Sequence, residues 1–276
     1  MIEKSAQPAG FYQHGHPSPG PPCEGPEAFE SLPSTAGPWS PDAQHGGPPA
    51  ALLARAVERL PEVGDARIGR FTVELLGPVP VGPVEVGARV VRPGRSVQLV
   101  AAELRDAARG RVAATAAAWL FPRTAGPGGG PGPLPHTPAD GTAHPRPQAW
   151  HGGYLDAIEW RWIRGGLEQP GTGVVWMRPP ALVVGEPISA VQRLLACVDS
   201  ASGASAALDV REWGFLNTEL SVHVLREPVG EWLCLDAETT LSDGAVGVAT
   251  SAVYDELGLV ARSAQALLVV PRRAGL

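Results

Sequence analysis

The sequence predicts an α+β fold of two similar halves, each a helix followed by a meander of four antiparallel strands. Three observations carry this. An amphipathic helical stretch precedes four strand-like runs, and the same order returns later in the chain. Two segments rich in Pro and Gly, at the start and near the middle, set the folded parts apart. The 276 residues are 44% hydrophobic, enough for a sizeable core. The expected organisation is a disordered tail over 1–25, a first half over 26–121, a linker over 122–149 and a second half over 150–272.

In the first half, Gly46–Leu60 reads as the helix. Pro48 and Pro49 suit a first turn, where a missing N–H costs nothing, and Leu53, Val57 and Leu60 form one apolar stripe. The runs Arg67–Leu76, Val84–Val91, Ser96–Leu104 and Arg111–Phe121 read as strands, separated by breaks that contain Gly. In the second half, Tyr154–Ile163 and Gly173–Met177 read as strands and Pro187–Leu208 as a helix, with Ile188, Val191, Leu195 and Val198 on one face. Phe215–Leu225, Glu231–Leu241, Gly244–Asp255 and Leu259–Val270 follow as strands. This implies a structural duplication, although the halves share too few identical residues to show it. The triplet His-Gly-Gly occurs before the first helix at 45–47 and before an expected strand at 151–153, so the two are read as unrelated.

Composition removes several classes of function. The net charge is −6 and Lys4 is the single lysine, so no basic face for nucleic acid is expected. Cys23, Cys197 and Cys234 are odd in number and far apart, which suits neither a disulfide framework nor a zinc site and points to a reducing cytoplasm. The first residues have no apolar core of a secretory signal, and no run of about 18 apolar residues exists for a membrane-spanning helix.

Few polar residues stand out. Asp199 is the sole acid between Pro187 and Ala207 and lies one residue past the apolar Val198, where desolvation would tune its charge. Gln265 shares a strand face with Ala261, Ser263, Leu267 and Val269, and so needs polar partners. Gly46 and Gly47 open the first helix, where N–H groups and the positive dipole end could meet an oxygen. His45 reads as a residue that precedes the helix, and His223 as a sheet residue. Trp119, Trp160, Trp162 and Trp232 read as packing residues.

Three segments resemble the TesB-like acyl-CoA thioesterases, whose architecture is the double hotdog: a long curved antiparallel sheet around a helix, twice in one chain. Gln44–Glu58 is similar to the family's first helix, Ala88–Asp106 to its strand–turn–strand and Ser251–Arg272 to its final hairpin. The resemblance implies hydrolysis of an acyl-CoA thioester to free acid and CoA by an activated water. In the family an Asp on the second helix, a Thr or Ser on the next strand and a Gln on the last strand hold that water. These fall on Asp199, Asn217 and Gln265, with Asn217 a departure from the hydroxyl and Thr218 beside it. Strand alternation favours Asn217 over Thr218. Gly46 and Gly47 would be oxyanion donors, and no metal, cofactor or covalent intermediate is required. Arg92, Arg95, Arg226, Arg272 and Arg273 are the candidates for CoA phosphates. No GxSxG elbow exists, which disfavours a Ser nucleophile. A hotdog hydratase or dehydratase and a non-catalytic acyl- or partner-binding protein are the alternatives. The first of these usually carries an Asp–His pair near a helix start, and the sequence places no acid just downstream of His45. Monomer and homo-oligomer are both compatible with two fused halves.

Overall fold

The computed structural model describes residues 9–15, 26–144 and 152–272. The first part of the chain contributes β1 (Tyr12–His14), β2 (Glu27–Ser31), α1 (Gly47–Glu58), β3 (Arg67–Leu75), β4 (Pro83–Arg92), β5 (Gln98–Asp106) and β6 (Arg111–Phe121). The second contributes α2 (Gly153–Ala157), β7 (Glu159–Gly166), β8 (Gln169–Arg178), α3 (Ala190–Val198), α4 (Ala201–Ala204), β9 (Trp213–Asn217), β10 (Glu219–Val224), β11 (Leu233–Leu241), β12 (Val246–Asp255) and β13 (Gly258–Pro271). One sheet runs in the order β1-β2-β4-β5-β6-β3-β10-β13-β12-β11-β8-β7, with β9 also paired to β13. All these strand pairs are antiparallel. The halves meet edge to edge at β3 and β10, where Phe71 faces Val222 and the Thr72 and Ser221 hydroxyls lie 3.2 Å apart. This is the double hotdog. Among the described residues no helix is long and apolar enough to cross a membrane.

The core lies between this sheet and the helices. Every residue of α1 from Gly47 to Val57 is buried, against β4, β5 and β6 on one side and α3 on the other. Small residues make that fit possible: Ala50, Ala51 and Ala54 on the helix, Ala114, Ala116 and Ala118 on β6. Arg55 is the exception in polarity. It is 1% exposed, and its charge is met by Glu186 at 2.9 Å and Glu27 at 3.0 Å, with the guanidinium over the Phe29 ring. α1 and α3 run antiparallel. At one crossing Glu58 accepts hydrogen bonds from Ser189 (2.9 Å) and Gln192 (2.7 Å) at the start of α3. Ser189 and Gln192 also form that helix's capping box.

Three expectations are corrected. The single helix expected over 187–208 is two pieces, because Ser200, Ser202, Gly203 and Ser205 are weak helix formers and Ser205 bonds instead to Ala201 and Thr239. Asp199 is therefore the C-cap of α3 rather than a mid-helix residue. The expected strand from Tyr154 begins as the helical turn α2. Gly152 and Gly153 take left-handed φ values of 92° and 60°, and the Asp156 carboxylate accepts the Gly152 amide. The second Gly-Gly pair thus opens a helical turn and not a strand; His151 lies outside the described residues.

The expected tail over 1–25 also gives way, at 9–15, to ordered structure. β1 pairs with β2, and Tyr12 exchanges backbone bonds with Leu182 (2.9 Å) and Val184 (2.8 Å). Phe11 and Tyr12 are fully buried. The remainder of that stretch lies outside the described residues. Within the expected linker, residues 122–144 run over the outer face of the second half. Leu134 packs on Val174, Trp176 and Cys234, and the Trp176 indole donates to His136 (3.2 Å).

Candidate active site

Asp199 is held by three hydrogen bonds from two residues. Its Oδ1 accepts the side-chain amides of Asn217 (2.6 Å) and Gln265 (2.9 Å), and Gln265 also donates to the Asp199 carbonyl (3.1 Å). Asn217 is opposite Leu267 in the β9–β13 ladder, which sets it beside Gln265 on one sheet face. Thr218 is exposed where β9 gives way to β10, so Asn217 meets the carboxylate and Thr218 does not. Asp199 is 5% exposed and Gln265 fully buried, and the Gln265 Oε1 has no partner among the described residues.

The other oxygen, Oδ2, faces the first half. It lies 3.1 Å from His45 Nδ1, and a Cβ on Gly46 would stand 2.7 Å from it. Gly46 thus makes room for the carboxylate. Gly47 serves a different contact: a Cβ there would collide with the Ala196 carbonyl where α1 and α3 cross. The Gly47 amide donates to His45 Nδ1 (3.2 Å), so it is already engaged. His45 stacks face to face on Tyr154, centroids 3.7 Å apart and planes within 4°. Tyr154 donates to the Ala196 carbonyl (2.7 Å), lies 2.8 Å from the Ser200 hydroxyl and has Phe11 stacked behind it. Burial pushes His45 below the usual histidine range, and the nearby Asp199 charge only partly opposes this. Burial pushes Tyr154 well above the usual tyrosine range, so both rings are neutral near pH 7.

Part of this cluster forms the polar end of a cavity of about 550 Å³. His45, Gly46, Asp199 and Asn217 line that end; Trp39, Val79, Leu155, Trp160 and Phe215 line the rest. Arg272 is at its wall, with the guanidinium 5.6 Å from the Trp39 ring. A wider hollow of about 840 Å³ along the first half is lined by charged residues such as Arg70, Glu74 and Arg105, and none of the five expected site residues reaches it. The apolar cavity is therefore the candidate.

Of the five expected residues, Asp199, Asn217 and Gly46 line the cavity, and Gln265 joins them through its bond to Asp199. Gly47 does not, because its amide is spent on His45 and its Cα packs on the Ala196 carbonyl, so the expected oxyanion donor at Gly47 is corrected. Reading the sequence missed His45, Tyr154 and Phe11, and Trp160 lines the cavity as well as packing. The His-Gly-Gly triplet was the signal that could have found His45. His223 is exposed between Arg70 and Arg262 on neighbouring strands, as a sheet residue should be. Of the other arginines, Arg226 is tied to Asp255, Arg92 covers Trp119, Arg95 is exposed between β4 and β5 and does not line this cavity, and Arg273 lies outside the described residues.

The model of the acyl-CoA thioesterase N-terminal domain matches residues 35–121, and that of the C-terminal domain matches residues 138–269. The chain belongs to the acyl-CoA thioesterase family. Among solved structures it is similar to a conserved hot dog-fold protein of unknown function from Alicyclobacillus acidocaldarius, at 21% identity over 89% of this chain and 94% of that one, with a TM-score of 0.69. The tesB protein of Mycobacterium avium subspecies paratuberculosis is 17% identical over 90% and 94%, TM-score 0.64. The acyl-CoA thioesterase II TesB2 of Mycobacterium marinum is 15% identical over 90% and 93%, TM-score 0.61. At these identities the likeness carries the fold. No curated protein matches the chain in sequence.

Proposed function

We propose that this family member hydrolyses an acyl-CoA thioester to the free acid and CoA, using a water activated by Asp199. The observation that carries the reading is one carboxylate, fixed through Oδ1 by the Asn217 and Gln265 amides, at the polar end of an apolar cavity. With Oδ1 occupied, Oδ2 is the oxygen that takes the water's proton as the water attacks the thioester carbon. Gln265 is fully buried and does not line the cavity, so its part is to hold the Asp199 carboxylate that meets the water. The Gly46 amide is a donor for the developing oxyanion, and the C–S bond then breaks to release thiolate. The acyl chain occupies the apolar wall, and Arg272 is the candidate for a CoA phosphate. The setting proposed is the cytoplasm, in keeping with the two buried free thiols of Cys197 and Cys234.

The test is thiol release from a panel of acyl-CoAs, wild type against Asp199→Asn. Release by wild type and its loss in the variant support the reading; a folded wild type that releases no thiol from any acyl-CoA but binds one supports an acyl-binding protein instead. A second reading is favoured by one contact, His45 Nδ1 at 3.1 Å from Asp199 Oδ2, an acid–base pair of the kind a hotdog hydratase or dehydratase uses. It requires loss or gain of enoyl-CoA absorbance without thiol release.

A further inference from the structure

The start of α1 offers fewer donors than a helix N-terminus usually does. Pro48 and Pro49 have no N–H, the Ala50 amide donates back to the Gly46 carbonyl (3.1 Å), and the Gly47 amide donates to His45. That leaves the Gly46 amide beside the cavity. An oxyanion has three lone pairs, and one amide satisfies one of them.

His45 is placed to supply what is missing. A backbone amide cannot accept, so in its bond from Gly47 the ring nitrogen Nδ1 is the acceptor. A neutral imidazole then carries its proton on Nε2. The same nitrogen lies 3.1 Å from Asp199 Oδ2, so the Gly47 amide and the carboxylate compete for it: a proton on Nε2 keeps the Gly47 bond, a proton on Nδ1 would exchange it for one to Asp199, and nitrogen NMR distinguishes the two. Nε2 has no hydrogen-bond partner among the described residues, and His45 lines the cavity next to Gly46 and Asp199. Its ring cannot swing freely, since Tyr154 is stacked on it and is itself tied to Ala196 and Ser200.

Resting on the hydrolytic reading above, we propose that neutral His45 donates its Nε2–H to the thioester carbonyl oxygen, as the second oxyanion donor beside the Gly46 amide. The carbonyl oxygen is the partner rather than the sulfur. A thiolate leaves readily without an acid, whereas the tetrahedral oxyanion depends on fixed donors in a site that excludes water. The ring is held in place before substrate arrives, which is what such a donor requires.

His45→Phe keeps a flat ring for Tyr154 and removes the donor; His45→Gln keeps an N–H. With folding verified by circular dichroism, kcat of His45→Phe is expected to fall about 10²- to 10³-fold with KM little changed, and His45→Gln to recover part of the loss. A ketone analogue of the acyl-CoA, with CH₂ for sulfur, should bind His45→Phe more weakly than wild type, while a thioether analogue without the carbonyl should bind both equally. Nitrogen NMR of the wild-type imidazole should show a neutral ring protonated on Nε2 at pH 7. A His45→Phe protein that matches an active wild type, equal effects on the two analogues, or a proton on Nδ1 would overturn the assignment while leaving thioester hydrolysis intact. Absence of thiol release from wild type would remove both.

Discussion

At the scale of single residues, the two glycines before α1 have separate consequences. A Cβ at Gly46 displaces the Asp199 carboxylate but strains no backbone, since Gly46 has helical φ and ψ of −67° and −21°. Gly46→Ala is therefore expected to lower kcat by about 10²-fold, the effect of moving a reacting group by about an ångström, with its melting temperature nearly unchanged. A melting temperature that falls along with the rate would place the residue's role in the fold instead. Asp199→Asn keeps the shape and loses the basic oxygen, so kcat should fall about 10²- to 10⁴-fold. Asn217→Thr exchanges one donor for another and should stay active in the same thiol-release assay. Glu186 makes a prediction in acid. The Arg55 hydrogen bonds, foremost, hold its carboxyl at about 2, below the ordinary 4.5. Its folded value lies below its unfolded one, so its stabilisation is present above pH 4.5 and is lost as pH falls towards 2. Denaturation curves across that window should be steeper for wild type than for Glu186→Gln; parallel curves would refute it.

At the scale of elements, the segment carrying β1 should matter more than its composition suggests. Phe11 fills a fully buried position against Tyr154, so Phe11→Ala should cost about 3–5 kcal/mol in urea denaturation. A cost below about 1 kcal/mol, as for a surface site, would contradict the packing. Much of the rest was legible in advance. α1 announced itself through its prolines and stripe, and the strands after each helix through runs broken by Gly. β1 was not legible, because Phe11 and Tyr12 sit among Pro, Gly and His and find their partners at Leu182 and Tyr154, far along the chain. α2 was misread because Tyr154–Ile163 alternates like a strand, while the left-handed glycines and the Asp156 cap that bend its start depend on local geometry. Asp199, Asn217 and Gln265 were legible through family resemblance, whereas the approach of His45 to Asp199 follows from helix crossing, which no local pattern encodes.

At the scale of the whole molecule, neither half holds the whole candidate site: His45 and Gly46 come from one, Asp199, Asn217 and Gln265 from the other. The β3–β10 seam and the α1–α3 contact join them. Heating should give one calorimetric transition, with activity lost over the same range; two separated transitions would mean independent halves. The two antiparallel helices also cross in a way that has a mirror. The end of α3 brings Asp199 to the start of α1, and the end of α1 brings Glu58 to the start of α3, related by a half-turn. Two identical halves would have built two equivalent centres. Here one corner is a clasp, with Glu58 saturated by Ser189 and Gln192, while the other sets Asp199 Oδ2 beside His45 and a cavity. Because the two corners differ in chemistry, a tight inhibitor of the Asp199 corner should titrate at one molecule per chain, not two.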